Sequence, residues 1–273
     1  MTVQAGNDPV QVRLGLRSAI VLGVASGLGL VLFCWPLLVP VTAGVSTATA
    51  PYAFAALLPV VVLLVLAQLS DGGMDTRALA MLGVLSAINA ALRPTLGAGT
   101  AGIESIFFTL VLAGWAFGPG FGFVLGCTSM LASALLTAGV GPWLPYQMLA
   151  AAWIGLGAGL LPGRRAASRR RARLADVVVL AGYGMLCAYG YGALLNLSFW
   201  PTLAATGGAG PAGLDYLPGA PAWENLRRFG LFTLVTSTAG WDTGRALTTA
   251  TGIVVLGRPV LDVLRRAARR CHP

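Results

Sequence analysis

Apolar residues in this chain do not alternate with polar ones; they run in long blocks. Residues 105–161, 57 in a row, contain no Asp, Glu, Lys, Arg or His. A helix crosses the hydrocarbon core of a bilayer with about 20 apolar residues, so this block alone holds about three crossings. Gly118-Pro119-Gly120 and Gly141-Pro142 punctuate it. Apolar length and Gly/Pro breaks, read along the whole chain, predict about eight membrane segments: 18–39, 52–70, 77–92, 104–117, 121–140, 143–161, 175–200 and a last one within 228–264. The third and fourth are short for a full span, which predicts tilt or partial burial. The fold class expected is all-α, a polytopic membrane helix bundle.

The last segment reads in two ways. Residues 229–240 are apolar but few, and Asp242 and Arg245 follow at once. One long helix with a charged pair inside the membrane is one reading. The expectation adopted is a short helix or re-entrant piece before Gly240, with the span starting near Trp241. Irregular backbone is tolerated at membrane depth where it lines a cavity. Asp242 then stands near a helix N-terminus, where the dipole favours a carboxylate.

Composition agrees with the pattern. The chain is 56% hydrophobic and 10% charged, against about 25% charged in soluble domains. Its net charge of +9 is carried by Arg alone, with no Lys, a usage that suggests a GC-rich bacterial genome. No basic segment is interleaved with aromatics, so nucleic acid is not the expected partner; the bias of cytoplasmic loops toward basic residues is the better cause. With the N-terminus inside, Arg13, Arg17, Arg77, the cluster Arg164, Arg165, Arg169, Arg170, Arg171 and Arg173, and Arg258, Arg265, Arg266, Arg269 and Arg270 lie inside. Outside lie only Arg93, Arg227 and Arg228, and Arg245 falls within the last helix. Both termini are therefore expected in the cytoplasm of a bacterial cell, with the chain in its membrane. The apolar run 19–39 exceeds a signal-peptide core of about 7–15 residues and reads as a retained helix.

Candidate catalytic chemistry is sparse. There is no GxxxxGK[ST] loop, no G-x-S-x-G elbow and no HExxH, so neither ATP hydrolysis nor another enzyme activity is expected of this chain. Cys34, Cys127, Cys187 and Cys271 form no CxxC pair, and the one His is His272, so neither a metal site nor a bound cofactor is expected. Gly155, Gly157 and Gly159 read as packing of small residues. Asp71 and Asp75 sit in a tight solvated turn.

Two patterns carry more information. Gly83, Ala87 and Ala91 share one stripe of the third segment, which allows close helix–helix approach, within the chain or to another membrane subunit. Polar and aromatic groups also gather at the outer ends of the segments: Asn89, Arg93, Glu104, Trp143, Tyr146, Gln147, Asn196, Trp200, Trp241, Asp242 and Arg245. Part of this set fits an interfacial aromatic belt. Charged residues within a span cost roughly 2.5–3.5 kcal/mol each on insertion scales, so the set is expected to line one outward-facing pocket.

The strings MLGVLSAINAALRP (81–94), AGIESIFF (101–108), AGWAFGPGFG (113–122) and GPWLPYQ (141–147), then WDTGRA (241–246), GRP (257–259) and the basic tail, resemble the substrate-binding S components of energy-coupling factor (ECF) transporters. The resemblance implies a six-helix core at 76–273, with 1–75 as an extension of two transmembrane helices that it does not cover. It implies capture of a vitamin or related micronutrient from outside and partnership with a membrane T subunit and two cytoplasmic ATPases. It places the docking stripe, Ala-x-x-x-Ala in the family, on Gly83, Ala87 and Ala91, with Gly in the first position. Metal-ion members carry an N-terminal His motif that is absent here. The aromatic rim favours a flat or large organic ligand, a corrinoid among the candidates. The alternative is a self-sufficient secondary transporter or channel, which would need a coupling-ion site and usually an internal repeat.

Overall fold

The computed structural model describes residues 16–38, 60–61, 74, 76–95, 102–163, 171–203, 211 and 213–270. Among the described residues every regular element is helical, as the blocks of apolar residues predict. The helices are α1 (Leu16–Phe33), α2 (Trp35–Leu38), α3 (Thr76–Thr95), α4 (Ile106–Phe117), α5 (Pro119–Leu136), α6 (Leu144–Leu160), α7 (Leu174–Leu203), α8 (Ala222–Thr233) and α9 (Thr243–Arg270), with a π-helical stretch, Leu234–Asp242, between the last two. Of the expected segment 52–70, only Val60 and Val61 fall among the described residues. The acidic turn at Asp71 and Asp75 and most of the Arg cluster, 164–170, lie outside them.

The 18 residues of α5, at 1.5 Å per residue, span about 27 Å, close to a hydrocarbon core of about 30 Å. The 20 residues of α3 reach about 30 Å, so the third segment is longer than its apolar stretch suggested. The fourth is short as expected: α4 has 12 residues, about 18 Å. All of them except Phe108 are buried. It forms the middle of the bundle, enclosed by α5, α6 and α9, and meets lipid hardly at all.

Lipid tails are as apolar as Leu, so close packing, not escape from water, holds membrane helices together. The sequence supplies small residues for it. Gly122 on α5 and Gly155 on α6 lie backbone to backbone, and a Cβ on either would run into the other's main chain. Gly114 of α4 approaches the same Gly155 carbonyl. The alternating glycines of α6 are thus packing positions. The turn between α4 and α5 is the single residue Gly118, at φ 112°, a left-handed value that needs no Cβ. Pro119 then opens α5 at the position where its missing N–H is harmless.

The final segment departs from the expected break. Helical backbone is unbroken from Ala222 through Arg270, and Gly240 lies inside the π stretch instead of ending a re-entrant piece. The extra residue per turn is stabilised by side chains at five-residue spacing. Ser237 Oγ donates to Asp242 Oδ2 at 2.8 Å, and Thr243 Oγ1 to the Thr238 carbonyl at 2.6 Å. Such i to i+5 contacts match the π repeat. Asp242 is therefore an interior residue of a continuous helix, not a residue near a helix N-terminus. Residues Ala222–Ala268 of that helix, 47 in all, measure about 70 Å, more than a bilayer core, so part of this element stands outside the hydrocarbon.

Connectivity brings four chain positions to one end of the bundle: the end of α3, the start of α4, the end of α7 and the π stretch. At the opposite end Arg265 Nη2 donates to Asp176 Oδ2 at 3.5 Å, and Asp262 Oδ1 accepts from the Ala172 amide at 3.1 Å.

Candidate functional site

The shared end carries an ionic chain. Arg93, near the end of α3, donates from Nε to Glu104 Oε1 at 3.2 Å and from Nη1 to Ser133 Oγ on α5 at 3.4 Å. Glu104, just before α4, accepts on its other oxygen from Arg245 Nε at 2.8 Å. Arg245, on α9, also donates from Nη1 to Asp242 Oδ1 at 2.9 Å. The Asp242 carboxylate closes the chain on Ser237 and rests against the Cα of Gly192, where a Cβ would collide with it. Two rings flank the guanidinium of Arg245, with its Cζ 5.1 Å from the Tyr191 centroid and 5.6 Å from that of Phe107. Two cations and two anions thus cancel. Mutual pairing is what makes four charged groups tolerable here, since each alone costs roughly 2.5–3.5 kcal/mol to insert. Asn89, one turn before Arg93, extends the polar seam by donating to Ser129 Oγ at 3.0 Å.

Beside this chain lies a cavity of about 380 Å³, within the range of small-molecule sites. Asn196, Trp241 and Arg245, all expected from the sequence, line it. So do Gly192, Leu195, Leu203, Phe232, Thr236 and Ser237, which the sequence reading missed. The walls are mixed, with Leu195, Leu203, Phe232 and Trp241 on one hand and Asn196, Thr236, Ser237 and Arg245 on the other. The Asn196 amide nitrogen is buried and makes no hydrogen bond within the protein. Buried polar groups are nearly always paired, so this nitrogen stands out on the cavity side of α7. Thr236 Oγ1 donates to the Phe232 carbonyl at 2.7 Å. The π stretch supplies one wall, and irregular helical turns of this kind recur at functional sites.

The rest of the expected set stands elsewhere. Among the described residues, the lining leaves out Trp143, Tyr146, Gln147 and Trp200. Trp143 is exposed, and its indole N–H is satisfied by the Gly139 carbonyl at 3.1 Å. Tyr146 is fully buried, with Phe33 at 4.9 Å and Phe199 at 5.8 Å between ring centroids. It anchors the core, not a pocket. Gln147 is half-buried on α6. Trp200 is buried behind the cavity wall, edge-on to Tyr216 and tilted against Phe229 and Phe232, with its N–H on the Leu214 carbonyl at 3.0 Å. Signals for the missed residues were weak: Ser237 precedes Asp242 by five, which pairs them only on a π repeat. Among the described residues no group of three or more His, Cys, Asp or Glu forms a metal site.

Gly83, Ala87 and Ala91 are all exposed along one side of α3, with open space beside Gly83. Leu82, Leu85, Ser86, Asn89 and Ala90, on the other side, are buried. The small stripe therefore faces away from the side of α3 that the described residues bury.

No curated protein and no solved structure matches this chain. One family model does, that of the ECF transporter, substrate-specific component, over residues 77–238. The match runs from the start of α3 into the π stretch, so it takes in the bundle core apart from α9, the stripe and most of the cavity. Among the described residues three helices are long and apolar enough to cross a membrane, as a subunit of a membrane transporter requires. This chain belongs to the substrate-specific components of ECF transporters.

Proposed function

We propose that this chain captures a vitamin or similar micronutrient at the outer face of a bacterial cell membrane and hands it to partners that supply the energy. The observation that carries the reading is the cavity of about 380 Å³ beside Arg245, at the end of the bundle that Arg counting assigns to the exterior. Arg93 is among the few basic residues there, while the basic tail after Gly257 belongs to the other end. Asn196, Trp241 and Arg245 are the residues assigned to ligand contact. Arg93, Glu104 and Asp242 hold Arg245 in place, and Asn89 supports Arg93.

In this reading residues 76–273 form the six-helix core, and 1–75 form an extension with two transmembrane helices. The outward stripe Gly83, Ala87 and Ala91 is the docking face for a membrane T subunit, since small residues let helices approach closely. Two cytoplasmic ATPases complete the importer, and ATP turnover on them drives release inside.

Co-expression with a T subunit and two ATPases tests this directly. The four chains should co-purify and take up solute only when ATP is hydrolysed. Uphill uptake in vesicles that contain this chain alone would favour the secondary-transporter reading instead.

A further inference from the structure

The family match begins at residue 77, yet the chain before it reaches the wall of the cavity. Phe33, the last residue of α1, is fully buried, 4.9 Å from the ring of Tyr146 and 5.5 Å from that of Trp153. Ser26 Oγ accepts from the Trp153 indole N–H at 3.0 Å. These contacts fix α1 on α6 and bring the α1–α2 corner, residues 34–38, over the end of α7. There Trp35 Nε1 donates to the Ser198 carbonyl at 3.2 Å, and Tyr216 Oη donates to the Pro36 carbonyl at 3.3 Å. Cys34 and Leu37 pack on the cluster of Leu197, Trp200, Phe229 and Phe232.

That cluster is the back of the cavity. Phe232 lines the cavity on one side and tilts against Trp200, at 6.1 Å, on the other. Leu203 likewise lines the cavity and packs on the cluster. Ser198, which Trp35 grips, is two residues from Asn196 and bonds back to the Leu195 carbonyl at 2.8 Å; both Asn196 and Leu195 line the cavity. Tyr216 joins the same unit through its ring, 5.3 Å from Trp200. Without residues 34–38, one face of this cluster and two hydrogen bonds would be lost.

We infer that the α1–α2 corner is a brace for the ligand cavity, with Trp35 as a positioning residue. It fixes α7 against α8 and the 213–217 connection, and so sets the place of Asn196 and Phe232. The extension is thereby a working part of the substrate site and not only a membrane anchor. The inference rests on the proposal that this cavity takes the substrate.

Amide hydrogen exchange on the full chain in nanodiscs tests the brace. The variants are Trp35→Phe, which removes the indole N–H and keeps a ring, and Tyr216→Phe, which removes the hydroxyl. Val24→Ala, on the exposed side of α1, is the control. Exchange across 213–217 and 229–238 is expected to rise about five- to tenfold in both variants, as loss of one hydrogen bond implies, with α5 unchanged. Unchanged exchange, or an equal rise in α5, would overturn the brace. Native mass spectrometry of the same preparations reads the second half, with the fraction of chain that retains co-purified small molecule expected to fall in both variants and not in the control. A loosened wall with wild-type retention would overturn the positioning role. If wild type itself carries no small molecule, the substrate reading fails and the exchange result still decides the brace.

Discussion

Arg245 donates to Glu104 at 2.8 Å across 141 residues of chain, and the other oxygen of the same carboxylate accepts from Arg93 at 3.2 Å. One acid therefore ties α3, the start of α4 and α9 together at the cavity's edge. Glu104 is the only acid between Asp75 and Asp176, and the other carboxylate of the ionic chain, Asp242, bonds Arg245. Glu104→Gln leaves Arg245 with the carboxylate of Asp242 and takes from Arg93 the carboxylate it bonds. Removing one member of a buried pair is more damaging than never having the pair. The expected loss is about 2–4 kcal/mol, read as a fall in the melting temperature in detergent. Adding Arg93→Met should recover part of it, because the stranded charge goes too. A double variant that melts lower than the sum of the two single changes would contradict the pairing.

Gly122 and Gly155 set a second expectation. A Cβ on Gly122 would strike the Gly155 backbone, and main chain cannot rotate away as a side chain can. Gly122→Ala should cost about 1–3 kcal/mol, and Gly122→Val more. Gly230 has open space around it, so Gly230→Ala, at the exposed side of α8, should be neutral or slightly stabilising. Thermal melts of these variants check the contrast.

The stripe on α3 separates docking from folding. Nothing lies within 4 Å of a Cβ on Gly83, and Ala87 and Ala91 are exposed. Gly83→Leu and Ala87→Leu should therefore leave the melting temperature within about 0.5 kcal/mol of wild type in stability terms. They should remove most co-purification with the T subunit and ATPases. Equal recovery of the four-chain complex would show that another surface docks.

Much of this was legible in the sequence because charge is costly in lipid. Arg93, Glu104, Asp242 and Arg245 stand out in apolar blocks, and any stable arrangement has to bring them together. Helix existence followed from block length for the same reason. The aromatics were less legible. Trp143, Tyr146 and Trp200 have the composition of pocket residues, but a belt Trp, a core Tyr and a wall-backing Trp look alike in one dimension. Tyr146 is enclosed by Phe33, more than a hundred positions away, and no local pattern announces that contact. The π stretch was hidden because apolar periodicity is read at 3.6 residues, and Thr236 and Ser237 take their places only on the wider turn.

Asn196 tests the central claim most directly. Its buried amide nitrogen has no hydrogen-bond partner in the protein, so Asn196→Ala should leave folding stability unchanged or slightly higher. If that amide exists to hold a ligand, the same change should weaken binding about tenfold, the worth of one good buried hydrogen bond. Native mass spectrometry of the full chain should show a small molecule bound to wild type and largely absent from Asn196→Ala, at equal melting temperatures. The same bound mass at the same occupancy in both would contradict the account.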